Sequence, residues 1–314
     1  MYTDTNHNTP IHSLSLQLNE NKFYIKRDDL LPVSFGGNKA RKAILFFNDI
    51  ENKNAGCIVT YGSSSSNHCR IIANIAVAKN MPCYIISPSE TNVTTTNSKI
   101  IGVLNAVVIE CPIDEVSQTI ELQLSALKEN GLRPYFIPGG GHGNIGTQSY
   151  VDAFKEILNY EASKGEFFDY IFHPSGTGTT QAGLICGNLL NACERKIIGI
   201  SIARKMPYGS RVVLDSANSY LKSIDENPIE NEKIDFVDDY ILNGYGAYNK
   251  DILKTIKEVL ILDGVPMDPT YTGKAFWGMK EFIINNEIKN KKILFIHTGG
   301  TPLFFDGLEE LMND

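Results

Sequence analysis

Three short stretches combine residue types that can hold an anion, form an imine and bind a carboxylate. The first is Ser175-Gly176-Thr177-Gly178-Thr179-Thr180-Gln181-Ala182-Gly183. Its glycines let the backbone curl so that successive N–H groups point at one anion. A helix opening here adds its positive end, and the threonine hydroxyls add donors. No Lys-Ser/Thr pair follows the glycines and the spacing is not GxGxxG, so this is neither a Walker loop nor a dinucleotide fingerprint. Such a turn also serves as a plain helix cap.

The second stretch is Phe35-Gly36-Gly37-Asn38-Lys39-Ala40-Arg41-Lys42. The glycines allow close backbone approach, and Asn38 is the predicted helix N-cap. Lys39 then projects from the first turn, where the helix dipole opposes an ammonium and favours the free amine that imine formation needs. A solvated lysine at a helix start is the plain alternative. The third is Gly62-Ser63-Ser64-Ser65-Ser66-Asn67-His68-Cys69-Arg70. Serine runs occur in linkers, but this one lies between an apolar run and a helical pattern. That position suits a ligand-facing turn with hydroxyl and N–H donors. His68 alone reads as structural.

The elements around these stretches alternate. Predicted strands are 57–61, 83–87, 106–109, 135–137, 170–173, 197–202 and 293–297. Predicted helices are 39–52, 67–80, 98–104, 116–130, 146–163, 179–193, 251–262 and 273–286. This order implies an α/β fold with mostly parallel sheets, and the strands that are apolar throughout imply helices on both faces. Glycine clusters at 61–66, 139–146, 175–180 and 298–301 fall where strands end and helices begin. Ligands of open α/β sheets bind there, so four such turns imply a cleft shared by two sheets. The polar stretch 158–168, with Gly165, is the best candidate domain boundary.

The chain has 314 residues, 42% hydrophobic and 21% charged, enough for one large domain or two modest ones. A net charge of −7 gains nothing from a phosphate backbone, so no nucleic-acid partner is expected. No apolar run is long enough to span a bilayer, so no membrane association is expected. Residues 1–10 lack the regions of a signal peptide, and a cytoplasmic location is the expectation. The six cysteines show no CxxC pair. They imply neither a disulfide scaffold nor a metal site, and read as small buried hydrophobes.

Further stretches extend the pattern: Lys26-Arg27-Asp28-Asp29-Leu30, Ile137-Pro138-Gly139-Gly140, Asp268-Pro269-Thr270-Tyr271-Thr272-Gly273-Lys274 and Ile296-His297-Thr298-Gly299-Gly300-Thr301-Pro302. With the three above, and in this order along the chain, they resemble the fold-type II pyridoxal 5′-phosphate (PLP) enzymes. The resemblance is to the 1-aminocyclopropane-1-carboxylate (ACC) deaminase and D-cysteine desulfhydrase branch. It implies a tryptophan synthase β-like fold, two open twisted sheets with PLP between domains. A smaller domain at 45–157 is inserted into a larger one formed by 1–44 and 158–314. It also implies a homodimer acting in amino acid metabolism on a small amino-acid substrate.

Carried over by position, the resemblance makes Lys39 the Schiff-base lysine and Ser66 a serine that contacts substrate. Asn67 falls near the PLP 3′-oxygen. Gly176, Thr177, Gly178, Thr179 and Thr180 form the phosphate loop, and Thr298 faces the pyridine. Tyr271 and Tyr245, the latter in Asn243-Gly244-Tyr245-Gly246, match active-site tyrosines. Substrate contacts then include Ser66, Asn67, His68, Tyr245 and Tyr271. Tyr61 and Ser65 depart from the glycine and glutamine usual in the branch, and His142 and Asn144 are placed to touch substrate.

The implied chemistry starts when the substrate amine displaces Lys39, which then takes the α-proton. PLP stores the electrons, a group leaves Cβ, and an oxo acid and ammonia result. ACC deaminases carry a glutamate after the tyrosine, where this chain has Thr272. A neutral residue cannot stabilise a protonated pyridine, so β-elimination of the D-cysteine desulfhydrase type is favoured over ACC ring opening. β-Replacement, racemisation, a non-catalytic PLP or amino-acid binder, and a nucleotide-binding enzyme remain the alternatives.

Overall fold

Apolar strands and amphipathic helices assemble into two open sheets in the computed structural model, which describes residues 8–91 and 93–313. Residues 1–7 of the polar N-terminal stretch lie outside the described residues. In chain order the elements are β1 (Ile11–Ser13), β2 (Lys22–Arg27), α1 (Asn38–Asn52), β3 (Cys57–Tyr61), α2 (Asn67–Ala78), β4 (Cys83–Pro88), α3 (Thr96–Val103), β5 (Val107–Cys111), α4 (Val116–Glu129) and β6 (Pro134–Ile137). There follow α5 (Asn144–Lys164), β7 (Tyr170–Ser175), α6 (Thr179–Leu190), β8 (Lys196–Ser201), α7 (Tyr208–Ser223), β9 (Asp235–Val237), α8 (Lys250–Asp263), α9 (Thr272–Asn285), β10 (Lys292–His297), α10 (Thr301–Asp306) and α11 (Leu308–Asn313).

The four-stranded sheet has the order β5-β4-β3-β6 and is parallel throughout. The six-stranded sheet runs β1-β2-β10-β7-β8-β9, with only the β1–β2 pair antiparallel. Parallel pairing gives the carboxyl ends of the strands within each sheet, β1 excepted, one direction, so the registers Tyr61↔Ile86 and Ser175↔Ser201 bring the turns after neighbouring strands together.

Strand alternation distributes the core. Along β10, Ile293 and Phe295 pack with Phe172, Phe276 and Met279 on one face, while Leu294 and Ile296 pack with Tyr150 and Phe154 on the other. Burying each such side chain stabilises the fold by about 1.5–3 kcal/mol. In the smaller sheet Ile58, Ile85 and Ile137 face α1 and α2, and Cys57, Val59 and Ile86 face α4. All six thiols are free and five are buried. Among the described residues no helix is long and apolar enough to cross a membrane.

A buried ion network fixes the start of α1. Arg41 pairs with Asp28 at 2.8 Å and Glu156 at 2.6 Å, Lys26 pairs with Glu156 at 2.5 Å, and the Tyr150 hydroxyl donates to Asp28 at 2.7 Å. The end of β2, α1 and α5 are thereby locked together. Gly37, at φ 96°, precedes α1, and a Cβ there would lie 2.5 Å from the Thr298 carbonyl oxygen. A side chain would therefore separate α1 from the turn after β10.

Each predicted strand and helix has a counterpart within a few residues. The elements not anticipated are β1, β2, β9, α7, α10 and α11. Gly165 is the left-handed cap of α5, so the polar stretch at 158–168 is largely the end of that helix. Asn38 does not cap α1. Gly37 holds the cap position, and the Asn38 amide instead donates to Thr180 Oγ1 at 3.1 Å.

Candidate active site

The carboxyl ends of the two sheets meet around a cavity of about 470 Å³. The turns after β3 and β6 form one wall, and those after β7, β8 and β10 form the other. Lys39, in the first turn of α1, lies between the walls.

Lys39 Nζ donates to the Gly140 carbonyl at 3.0 Å. Burial, with the Arg204 charge adding to it, pulls its pKa down to about 8, so a usable share of free amine exists near neutrality. Lys42, one turn further on, is buried and reaches behind the turn after β7, where its Nζ donates to Thr179 Oγ1 at 2.6 Å. Burial and the neighbouring Lys39 amine hold Lys42 well below the ordinary lysine value. Among the described residues no carboxylate pairs with Lys42.

The Gly176–Thr180 turn leads from β7 into α6. None of its five N–H groups meets a protein acceptor among the described residues. Gly176, Thr177, Gly178 and Thr180 line the cavity, whereas Thr179 is fully buried behind it with its hydroxyl on Lys42. Unpaired N–H donors, a helix start and a buried amine thus converge on one spot, a donor set for a phosphate.

Opposite, Ser66 caps α2 by accepting the Cys69 N–H at 3.2 Å. The Asn67 amide oxygen accepts from Arg70 Nη2 at 3.3 Å and Asn97 Nδ2 at 3.0 Å. That orients the Asn67 NH₂ group as the free end, on a residue that lines the cavity. The Thr60 hydroxyl donates to the Ile137 carbonyl at 2.8 Å and so receives the His68 Nε2 proton, also at 2.8 Å. Burial, then the Lys39 and Lys42 charges, keep His68 neutral.

The two tyrosines meet in the cavity lining. Tyr271 immediately precedes α9, Tyr245 lies on the loop after β9, and their hydroxyls are 2.5 Å apart. Burial raises both phenol pKa values, so both remain proton donors at neutral pH. Lys274 Nζ donates to Ile241 O at 3.3 Å and Gly244 O at 2.9 Å, which ties the Tyr245 loop to α9. The buried Asp268 carboxylate accepts the N–H groups of Thr270, Tyr271 and Thr272 and the Thr272 hydroxyl. Thr272 therefore points away from the cavity.

His142 and Thr298 also line the cavity. Asn144 does not: it begins α5 and its amide oxygen accepts from Ser219 at 2.9 Å. That corrects the expectation that it touches substrate. Arg204 was not singled out in the sequence, and Lys42 only as the lysine next in line to anchor the cofactor. The only signal for Lys42 is its place one helical turn after Lys39, which puts it beside that residue. Arg204 follows a strand end, a position that ligands favour.

Two open sheets that share a cavity, with a lysine amine beside a phosphate cup, define an α/β enzyme built for a phosphate-bearing carbonyl cofactor. Residues 2–299 match the family described as pyridoxal-phosphate dependent enzyme. The chain belongs to that family. D-cysteine desulfhydrase of Serratia proteamaculans (strain 568) is 32% identical over 312 residues, covering 95% of this chain and 92% of that protein. A solved structure described as an ACC deaminase homologue superposes with a TM-score of 0.88 at 28% identity, covering 98% of this chain and 94% of its own. Threonine deaminase isoform 2 from Solanum lycopersicum shares the fold, with a TM-score of 0.65 at 21% identity over 99% of this chain and 89% of its own.

The residues present fit PLP. The cup and Lys42 suit a phosphate dianion, whose charge would offset the cost of burying an ammonium, and Lys39 suits the aldehyde.

Proposed function

We propose that this PLP-dependent enzyme is a lyase or deaminase that removes a group from Cβ of a small amino acid and releases an oxo acid and ammonia, in the manner of a D-cysteine desulfhydrase. The observation that carries this reading is the buried Lys39 amine in the cavity beside the unpaired phosphate cup.

Lys39 holds the cofactor and, once displaced by the substrate amine, takes the α-proton at Nζ. PLP, when bound, supplies the electron sink. The N–H groups of Gly176 to Thr180 and the Lys42 ammonium hold the phosphate. Asn67 donates its free amide hydrogens to the ring oxygen, and Thr298 meets the ring nitrogen. The Ser66 hydroxyl and the start of α2 take the substrate carboxylate. His68 and His142 border the substrate. Tyr245 and Tyr271, both protonated, hold the leaving group or donate a proton to it.

ACC-type ring opening is the second reading, favoured by the likeness to a structure described as an ACC deaminase homologue. Against it, no aspartate or glutamate lines the cavity among the described residues, and Thr272 is committed to Asp268. The Asp268 carboxylate behind Gly300 is spent on the Thr270, Tyr271 and Thr272 N–H groups, so no carboxylate of the lining holds a proton on the ring nitrogen. The domain division at 45–157 is part of the proposal: the four-stranded sheet falls inside it and the six-stranded sheet outside. A cytoplasmic homodimer is likewise proposed, with the unpaired thiols agreeing with a reducing compartment.

The test of the anchor is borohydride reduction of the holoenzyme followed by peptide mapping. The cofactor is expected on Lys39; finding it on Lys42, or on no lysine, would overturn the assignment.

A further inference from the structure

The proposed chemistry leaves one cation of the cavity wall without a task. Arg204 follows β8, and its Nη1 donates to the Gly176 carbonyl at 2.8 Å. Its guanidinium lies 5.5 Å from the Tyr208 ring centre, and its own carbonyl accepts the Ser201 hydroxyl at 2.6 Å. The Gly176 and Tyr208 contacts hold the side chain, and the Ser201 hydrogen bond holds its backbone. They leave the Nε–Nη2 edge without a protein acceptor among the described residues, and no carboxylate pairs with it or lines the cavity. The same edge of Arg27 grips the Asp29 carboxylate at 2.8 and 2.7 Å, which shows what such a fork binds when an acid is present.

Other anions are already served. The cup and Lys42 suit the cofactor phosphate, and the Ser66 turn suits the substrate carboxylate. His142 lines the same cavity, where burial and then the Lys42 charge oppose its protonation, with Arg204 adding a smaller share. That side of the cavity is therefore electropositive and polar.

We propose that Arg204 recognises an acidic group on the substrate side chain, so that the enzyme prefers an amino acid bearing a second anionic group, carboxylate or sulfonate, to a neutral one. This rests on the amino-acid reading above and specifies its substrate class.

The experiment uses the PLP-loaded enzyme and reads binding rather than turnover. Alanine and aspartate, in both enantiomers, are titrated while the visible absorption of the cofactor is followed. Neither carries a good leaving group at Cβ. Aspartate is expected to bind about tenfold or more tighter than alanine in one enantiomeric series, as a charge-assisted pair warrants. Arg204→Gln should abolish that preference and Arg204→Lys should restore part of it. Equal affinities in the parent, or a preference that survives Arg204→Gln, would overturn the proposal. Loss of PLP on dialysis of Arg204→Gln with the preference intact would make Arg204 a phosphate ligand instead, which also overturns it. No spectral response to any of the four amino acids would bring down the amino-acid reading itself and this proposal with it.

Discussion

Lys42 Nζ donates to Thr179 Oγ1 at 2.6 Å from behind the cup, while Lys39, one helical turn earlier, sends its amine into the cavity to Gly140. On the proposed reading, one helix offers two lysines to PLP, Lys42 for its phosphate and Lys39 for its carbonyl carbon. Lys42→Met should weaken PLP retention by about tenfold or more, the usual effect of losing a hydrogen bond to a charged group. The visible band should still form at excess PLP. Lys39→Ala should do the reverse and lose the band while still holding PLP non-covalently. Equilibrium dialysis with absorbance separates the two, and a Lys42→Met protein that keeps PLP as tightly as the parent would refute the division.

Cofactor uptake should depend on pH in a defined direction. Imine formation needs the neutral amine, and burial sets Lys39 near 8. At pH 7 only about a tenth of the amine is free. The rate at which the apoenzyme gains its visible band should therefore rise with pH and level off above about 8. A rate that is flat from pH 6 to 9 would contradict the assignment.

Gly178 precedes α6 at φ 93°, and a Cβ there would lie 3.1 Å from Val212 Cγ1. Gly178→Val both strains that backbone and pushes the cup against α7. PLP affinity should fall at least about tenfold with circular dichroism unchanged. Unaltered affinity would move the phosphate site elsewhere.

Asp28 lies in the ion network with Arg41 and Lys26 rather than in the cavity. Burial alone would raise its pKa, but Arg41 and Lys26 outweigh that and hold it well below the usual carboxylate range. A depressed carboxylate gives its full stabilisation above the ordinary value and loses it as pH falls through the depressed one. Asp28→Ala leaves Arg41 and Lys26 short of a counter-charge and should cost about 3–5 kcal/mol in urea unfolding at pH 7. The deficit relative to the parent should shrink in acid. A cost under about 1 kcal/mol would show that Glu156 alone satisfies both cations.

The parts of this site legible in the sequence are those built locally. Gly176–Thr180, Gly36–Lys39 and Ser63–Asn67 each carry their geometry in consecutive residues, and the long apolar strands β7 and β10 announce themselves. The illegible parts depend on partners far along the chain. Lys26 is fully buried near the end of β2 because Glu156 and Asp28 neutralise it, so β2 reads as charged rather than as a strand. The buried face of α7 is Gly209, Ser210, Val213, Ser216, Ala217, Tyr220 and Leu221, so glycine and serines interrupt its apolar stripe. Lys42 looks like any helical lysine until Thr179 is folded over it. Asn38 has a cap residue's identity, but the positive φ of Gly37 takes the cap and frees its amide for Thr180.

The most direct measurement is oxo-acid and ammonia release by the PLP-loaded enzyme from β-substituted alanines and from ACC under the same conditions. The panel should include both enantiomers of cysteine and β-chloroalanine, together with acidic analogues whose Cβ substituent can leave. Elimination from at least one of these, in one enantiomeric series and with little or no turnover of ACC, is the expected result. Rapid turnover of ACC with none of the β-substituted alanines would contradict it. That outcome would mean that ring opening proceeds here without a carboxylate at position 272.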